Sequence, residues 1–448
     1  MILLRDTRMK KHLYFATFVS ALGGFLFGFD TAVISGTTRF ITDTFHLSNV
    51  SLGFTVSIAL VGTILGSLFV GKPCDAYGRN RMLTVTAVLY FICGIGCGLA
   101  PNWTVLLVSR FLGGLAVGAA SVVAPMYIAE IAPAESRGRL VAVSQLNIVL
   151  GILAAFFSNT LLVGVGPDNW RWMFGVQAIP AVVFFTLIFF IPQSPRWLVK
   201  QGRIREAGEV LRKVGGGDMQ RQLDDIVESL HEEGGRAKTR LFQRRYRFHI
   251  MAAVLLAMFN QLTGINVIMY YAPMIFEKTG LSTDAAVQQA VVIGLTNFIF
   301  TILAMSVIDR LGRKTLLMVG SVGMALALAL VGRAFYEQSF SGAGILIYLV
   351  AYIAFFAFSQ GAVIWVFLSE IFPNRVRAQG QALGSFTHWI MNAIISFVFP
   401  TVLATLGGGN TFLFYSLMMV VQFFFAWKVL PETKGVSLEE LERKLSNR

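Results

Sequence analysis

Residues 75–81 read DAYGRNR, and residues 309–315 read DRLGRKT. The two stretches lie 234 positions apart in a chain of 448. Residues 129–139 read AEIAPAESRGR and residues 369–380 read SEIFPNRVRAQG, so Glu130 and Glu370 lie 240 apart. PQSPRWL opens at Pro192 and PETKG at Pro431, 239 apart. Three paired stretches at nearly one spacing mean two structural repeats. Each stretch falls between long apolar runs. Two membrane-embedded halves around one site is how many secondary transporters are built.

The composition points the same way. The chain is 55% hydrophobic and 14% charged, with a mean hydropathy of +0.67, which excludes an ordinary soluble protein. Twelve apolar runs of about 20 residues, the length that crosses a bilayer, lie near 13–37, 50–71, 82–100, 104–126, 140–163, 170–191, 248–275, 287–308, 316–334, 342–367, 379–403 and 411–430. Lipid offers backbone groups no partner, so these runs are read as helices and the fold as an all-α membrane protein. Residues 1–192 form an N-terminal six-helix bundle, 193–247 a helical linker on the inner side, 248–430 a C-terminal six-helix bundle, and 431–448 a cytoplasmic tail.

Loop charge sets the orientation. With the N-terminus inside, 32 of the 37 Lys and Arg residues fall in inner segments. Only Arg39, Arg171, Lys278 and Arg333 fall outside, and Arg110 lies within a run. Both termini are therefore expected in the cytoplasm of a multi-pass cell-membrane protein (inner or plasma membrane). The net charge of +13 faces anionic lipid heads, not nucleic acid. Arg5, Arg8, Lys10 and Lys11 before an apolar run imitate a signal peptide, but the run is too long and its pattern recurs, so it reads as an uncleaved first helix. Cys74, Cys93 and Cys97 suggest no disulfide framework, and Cys93 and Cys97, one turn apart, have too few companions for a metal.

The linker carries 13 basic and 8 acidic residues. GEVLRK and DDIVESLHEE within it have amphipathic helical spacing, and Gly215, Gly216 and Gly217 interrupt it. It is read as a small helical latch. Gly94 with Gly98, and Gly114 with Gly118, have the GxxxG spacing that lets helices approach closely.

Ionisable residues inside the runs are few. Asp30 lies about seven residues from the outer end of the first run, and Arg110 about six from the outer end of the fourth. At 1.5 Å per residue both sit roughly 10 Å deep, so they are expected to pair, because a lone charge at that depth costs several kcal/mol. Burial opposes the charge of a carboxylate and a neighbouring guanidinium supports it. A group balanced in this way is suited to exchange a proton as its surroundings change. The bland alternative is a static structural ion pair.

The second half has different chemistry. The stretch FNQLTGINVIMYYAP (259–273) brings Asn260, Gln261 and Asn266 together with Tyr270 and Tyr271, with Gly264 to loosen the helix and Pro273 to break it near its outer end. Amides offer donors and acceptors without charge, which is what a neutral polyhydroxyl ligand needs. Gln145, Asn297 and Asn392 add amides, and Trp365 and Trp389 add aromatic faces. Interhelical hydrogen bonding is the structural alternative for each amide taken singly. In the loops, Glu130 and Glu370 with Arg79, Arg137, Arg139, Arg313 and Arg377 read as a gating network that forms across the two halves when the inside is closed. No HExxH, Walker loop, GxSxG or CxxC occurs, and neither an enzyme nor a cofactor or metal is expected.

Together FGFDTAVISG, RFLGGLAVG, PMYIAEIAPAESRGRL, PQSPRWL, NQLTGINVIMYYAP, DRLGRKT, SEIFP and LPETKG resemble the sugar porter family of the major facilitator superfamily, over about residues 12–440. The resemblance implies two six-helix bundles working by alternating access. It implies sugar contact at Gln145, Gln261, Asn266, Asn297 and Trp365, with Tyr271 and Trp389 nearby. It matches Asp30 and Arg110 to the pair of the proton symporters. Ile152 stands where glucose-type members are apolar. The chain departs from the family pattern at Asn260 (usually Gln), His388 (more often Gln or Asn), Ala362 (usually Pro), Ala76 (usually Arg) and Gln193 (usually Glu). His388 is left open between a sugar contact, a histidine that titrates near neutrality and mimics proton coupling, and a neutral helix-contact residue.

The expectation is a proton-coupled sugar symporter, for glucose or a close hexose, monomeric in the bilayer. Its partners are hexose and protons, and nucleic acid is not among them. The rivals are a sugar facilitator and, on the same scaffold, a sugar-sensing receptor.

Overall fold

The computed structural model describes residues 2–133, 136–214, 219–235, 240–340, 344–373 and 375–434. Gly215, Gly216 and Gly217 and most of the tail lie outside the described residues, as does the Asp309 side chain. The elements in chain order are α1 (Ile2–Phe45), α2 (Asn49–Phe69), α3 (Gly71–Tyr77), α4 (Arg79–Gly98), α5 (Trp103–Ile131), α6 (Arg137–Leu162), α7 (Asn169–Gly175), α8 (Ala178–Ile188), α9 (Pro195–Lys200), α10 (Ile204–Val214), α11 (Met219–Gly235), α12 (Arg247–Leu262), α13 (Ile265–Glu277), α14 (Thr283–Leu311), α15 (Arg313–Tyr336), α16 (Gly344–Phe358), α17 (Gln360–Glu370) and α18 (Arg377–Lys428). No strand occurs among the described residues.

Among the described residues, eleven helices are long and apolar enough to cross a membrane. The last of them, α18, counts 52 residues, about 78 Å of helix. That is more than twice the roughly 30 Å of a hydrocarbon core. Gly407, at φ 75° and ψ 164°, is not helical and divides it into 377–406 and 408–428. The two apolar runs expected there, 379–403 and 411–430, sit on either side of that break.

The chain packs as two compact units that do not coincide with the sequence halves. The first comprises Met1–Thr31, Val61–Ala155 and Arg171–Lys238. Glycine lets its helices touch backbone to backbone. A Cβ on Gly28 would lie 1.9 Å from the carbonyl oxygen of Ile148, and one on Gly151 would lie 2.0 Å from that of Phe25, so α1 and α6 are locked together from both sides. Of the GxxxG residues, Gly118 backs onto Thr63 of α2, while Gly94 and Gly98 face Ala178 and Arg171, as close approach requires. The amphipathic linker segments are helices, and Ala207, Val210, Leu211, Val214 and Leu223 join the same core as Tyr90, Tyr127, Phe184 and Trp197.

The second unit comprises Ala32–Leu60, Phe156–Trp170 and Thr239–Arg448. Within it, Arg39 at the end of α1 donates to Thr283 at 2.9 Å and pairs with Glu277 at 3.4 Å. A Cβ on Gly53 of α2 would lie 2.0 Å from the carbonyl oxygen of Phe397. Its core joins Leu256, Leu316, Ile364, Phe367, Phe372 and Phe425.

Besides α18, two helices in this unit are broken. Between α12 and α13, Gly264 adopts φ 82°, a left-handed conformation that side-chain-bearing residues avoid. Pro273 lies inside α13, and the kink appears two residues earlier, at Tyr271 (φ −126°, ψ 15°). Between α16 and α17, Ser359 leaves helical geometry at φ −120° and ψ −86°.

Candidate functional site

The pairing expected of Asp30 and Arg110 is present in the first unit. Arg110 Nη1 lies 3.2 Å from Asp30 Oδ1 and 3.3 Å from the Asp30 backbone oxygen. Both side chains are 2% exposed. The guanidinium also stands over the Phe174 ring, 5.7 Å from its centroid. Cys93 Sγ points at the same Oδ1 at 3.5 Å and touches Cys97 Sγ at 4.0 Å. The bonds from Arg110 and Cys93 converge on Oδ1, so a guanidinium and a thiol both face this carboxylate. Gly113 makes the room: a Cβ there would lie 2.4 Å from Cys93 Sγ and 3.2 Å from Asp30 Oδ1. The contact of Cys93 with the carboxylate was not legible in sequence. All three cysteines are free thiols. Gln145 and Ile152, on α6, belong to this unit. Ile152 is buried, and Gln145 is half-buried without a hydrogen bond to a described residue.

In the second unit the broken helix α12/α13 carries the amides. Asn266 Nδ2 donates to Gln261 Oε1 at 2.7 Å, and Gln261 Nε2 donates to Asn260 Oδ1 at 3.1 Å. Gln261 Nε2 also lies 3.1 Å from both ring nitrogens of His388. An amide nitrogen only donates, so the facing imidazole nitrogen accepts. His388 in turn packs between tryptophans, with ring centroids 5.0 Å from Trp365 and 5.1 Å from Trp389. Trp365 is 36% exposed, whereas Trp389 is buried. Gln261, Asn266, His388, Trp365 and Trp389 thus form one cluster. A second cluster takes Asn392 and Tyr271 away from it. Asn392 Nδ2 donates to the Tyr270 hydroxyl at 3.2 Å, Ser396 Oγ donates to Asn392 Oδ1 at 3.0 Å, and the Tyr271 hydroxyl donates to the Ser396 carbonyl at 2.9 Å. Asn297, on α14, is buried and takes part in neither cluster.

The loop residues build the same clamp twice. Arg79 grips Glu130 with two parallel bonds, Nε to Oε2 at 2.8 Å and Nη2 to Oε1 at 2.7 Å, while Ser194 donates to Oε2 at 2.5 Å. Arg313 grips Glu370 likewise at 3.1 and 2.8 Å, with Thr433 donating to Oε2 at 2.6 Å. Such two-bond Arg–carboxylate pairs are strong and directional. Ser194 and Thr433 come from the PQSPRWL and PETKG stretches, so all three paired stretches meet at each clamp. Gln193 accepts two backbone N–H groups, from Asn80 at 3.1 Å and Ser194 at 3.3 Å, where Glu432 accepts four, from Arg313 at 2.9 Å, Lys314 at 3.1 Å, and Thr433 and Lys434 at 3.0 Å each. Each clamp closes within its own half. Arg137 and Arg139, at the start of α6, form no ion pair with a described residue, and Arg377 begins α18.

The linker completes the first clamp. Lys200 Nζ reaches Asp75 Oδ2 at 2.9 Å, Trp197 Nε1 donates to the Asp75 carbonyl at 2.9 Å, and Arg79 lies 3.3 Å from Asp75 Oδ1. Burial raises the Asp75 carboxyl, but Lys200 and Arg79 outweigh it and hold it below its ordinary value of 3.8. No group of three or more metal-ligating side chains occurs among the described residues.

With this geometry in hand, known proteins can be compared. The family model described as "Sugar (and other) transporter" matches residues 16–445. The chain belongs to the sugar transporter family. This is a family of transporters, not of enzymes. The D-xylose-proton symporter of Escherichia coli K12 is 38% identical over 97% of this chain and 96% of its own. The galactose-proton symporter of the same organism is 39% identical over 97% and 95%. Among solved structures, the inward open conformation of the E. coli xylose transporter XylE superposes with a TM-score of 0.86 at 36% identity, covering 96% of this chain and 99% of that one.

Proposed function

We propose that the chain is a proton-coupled sugar symporter of twelve spans in two six-helix bundles, joined by an intracellular helical linker, with both termini in the cytoplasm. The observation that carries the proton coupling is the buried Asp30–Arg110 pair, with the Cys93 thiol beside the same carboxylate. Protonation of Asp30 neutralises the carboxylate and loosens its hold on Arg110. This links proton uptake to movement of α1 against α5. The proton gradient, not a nucleotide, then drives accumulation.

The sugar contacts of this reading are Gln145, Gln261, Asn266, Asn297, Trp365 and Trp389. The Gln261–Asn266 cluster supplies amides and Trp365 an exposed aromatic face for the apolar side of a pyranose. Relatives of similar identity carry a pentose and a hexose, so overall likeness does not select the sugar. The choice of glucose or a close hexose rests on Ile152, a buried apolar side chain that offers no hydrogen bond. Tyr271 and Asn392 serve as internal supports, since their polar groups are engaged by Ser396 and Tyr270. The Arg79–Glu130 and Arg313–Glu370 clamps act as gate elements that stiffen each half on the cytoplasmic side.

The test is reconstitution into vesicles with an imposed pH gradient and labelled glucose, with unlabelled glucose, galactose, xylose, fructose and arabinose as competitors. Accumulation above the outside concentration that collapses with a protonophore supports symport. Equilibration without accumulation makes the protein a facilitator. Competition by xylose ahead of the hexoses overturns the substrate assignment.

A further inference from the structure

Asn260 does not join the amide cluster in the way Gln261 and Asn266 do. Its Nδ2 turns away, to Gln360 Oε1 at 3.3 Å and to the Gln360 backbone oxygen at 3.5 Å. Gln360 is the first residue of α17, immediately after the break at Ser359. Both amides are buried, at 1% and 0% exposure. Gln360 Nε2, at the end of the chain, has no hydrogen-bond partner among the described residues.

The direction of this chain is set at Gln360, where the backbone oxygen at 3.5 Å selects the Asn260 amide nitrogen and the side-chain oxygen at 3.3 Å holds it. A backbone carbonyl can only accept, so Asn260 must turn Nδ2 toward Gln360. Oδ1 of Asn260 then faces Gln261 and demands a donor, which puts Nε2 of Gln261 there and leaves Gln261 Oε1 facing Asn266. Each amide accepts from one neighbour and donates to the next, from Asn266 through Gln261 and Asn260 to Gln360. The same turn of α12 is tied to α16 on the other side of that break: the Tyr352 hydroxyl donates to the Thr263 carbonyl at 2.9 Å, one residue before the Gly264 break. The two broken helices are thus bolted together on their buried sides.

We propose that Asn260 and Gln360 are positioning residues of the sugar site. They hold the Gln261 amide in one of its two orientations, and they carry its displacement on sugar binding to the break between α16 and α17. A buried N–H left without an acceptor is costly in a purely structural pair, and its retention fits a chain kept for direction and not for stability. The proposal rests on the reading of Gln261 and Asn266 as sugar contacts.

Gln360→Met keeps the volume of the side chain and removes both Oε1 and the unpartnered Nε2. In the purified full-length protein it is expected to melt at or above the wild-type temperature. Its dissociation constant for the best sugar of the competition panel, by calorimetry, rises about 3- to 10-fold, the scale of one lost orienting hydrogen bond. Discrimination between glucose and galactose narrows with it. Asn260→Ala breaks the same chain from its other end, carries the same expectation for affinity, and serves where Gln360→Met is not recovered. The double variant binds no more weakly than the weaker single, because both changes cut one path. A structural role alone lowers the melting temperature and leaves affinity unchanged. Wild-type affinity and selectivity in a folded Gln360→Met variant, or losses that multiply in the double variant, overturn the proposal and leave the sugar-site reading standing. A wild-type protein that binds none of the panel overturns both.

Discussion

At the scale of single residues, the Asp30 carboxylate is the one on which the mechanism turns. Asn keeps its size and one acceptor but cannot ionise. Asp30→Asn is expected to abolish accumulation driven by a pH gradient while retaining exchange of labelled sugar at equal pH. If that variant still concentrates sugar, the proton site is elsewhere. The change also strands Arg110 at 2% exposure without its counter-charge. Removing one partner of a buried ion pair costs about 3–5 kcal/mol, so a clear fall in melting temperature should accompany it. Gly113 offers an independent probe that leaves both charges in place. An added Cβ at 2.4 Å from Cys93 Sγ displaces the thiol from its place beside Asp30 Oδ1. Gly113→Ala is expected to lower stability by about 1–3 kcal/mol and to weaken accumulation, with Cys93→Ala in the same chain restoring part of both. Unchanged melting of Gly113→Ala would show that the contact is relieved at no cost.

At the scale of elements, the breaks in α12/α13 and α16/α17 distinguish this bundle from a set of plain spanning rods. Gly264 sits at φ 82°, and a Cβ there would lie 3.0 Å from the Tyr415 ring. A left-handed residue with a side chain costs about 1–2 kcal/mol, and the ring contact adds to it. Gly264→Ala should lower the melting temperature. Adding Tyr415→Ala should relieve only the contact, so the double variant stays below Tyr415→Ala alone. Equal melting of those two would mean that the backbone at this break relaxes out of the left-handed region. Gly264 was legible as a weak point because it interrupts a helical run of amides. Gln360 was not, although a lone amide between Ser359 and Gly361 in an apolar run was the available signal. Its partner Asn260 lies 100 residues away, and no local pattern reports a contact at that separation. The two clamps divide in the same way. The repeated Glu130 and Glu370 were visible as a pattern, but the closure of each arginine within its own half needed coordinates.

At the scale of the whole molecule, the linker helices are built into the core of the first unit, and Lys200 and Trp197 hold α3 through Asp75. The folded state keeps the Asp75 carboxyl below its ordinary value of 3.8. A depressed folded value means that the stabilisation is present in full above about pH 4 and is lost as pH falls through the folded value. Asp75 is 51% exposed, so solvent screens the pair and the effect is small. The melting-temperature difference between wild type and Asp75→Asn should therefore stay constant from pH 5 to 8 and shrink only below pH 4. A difference that changes between pH 5 and 8 would assign the titration to another group. The sequence by itself determined the helical membrane class and the two repeats. It also supplied the depth match of Asp30 and Arg110 and the family, because hydropathy, loop charge and repeat spacing are written along the chain. Only the tertiary structure decided that the Cys93 thiol meets the Asp30 carboxylate beside Arg110, that Tyr271 and Asn392 are engaged internally, and that Asn260 turns toward Gln360. Those outcomes depend on which donors meet which acceptors across helices far apart in sequence, and side-chain direction at such crossings is set by packing, not by any local propensity.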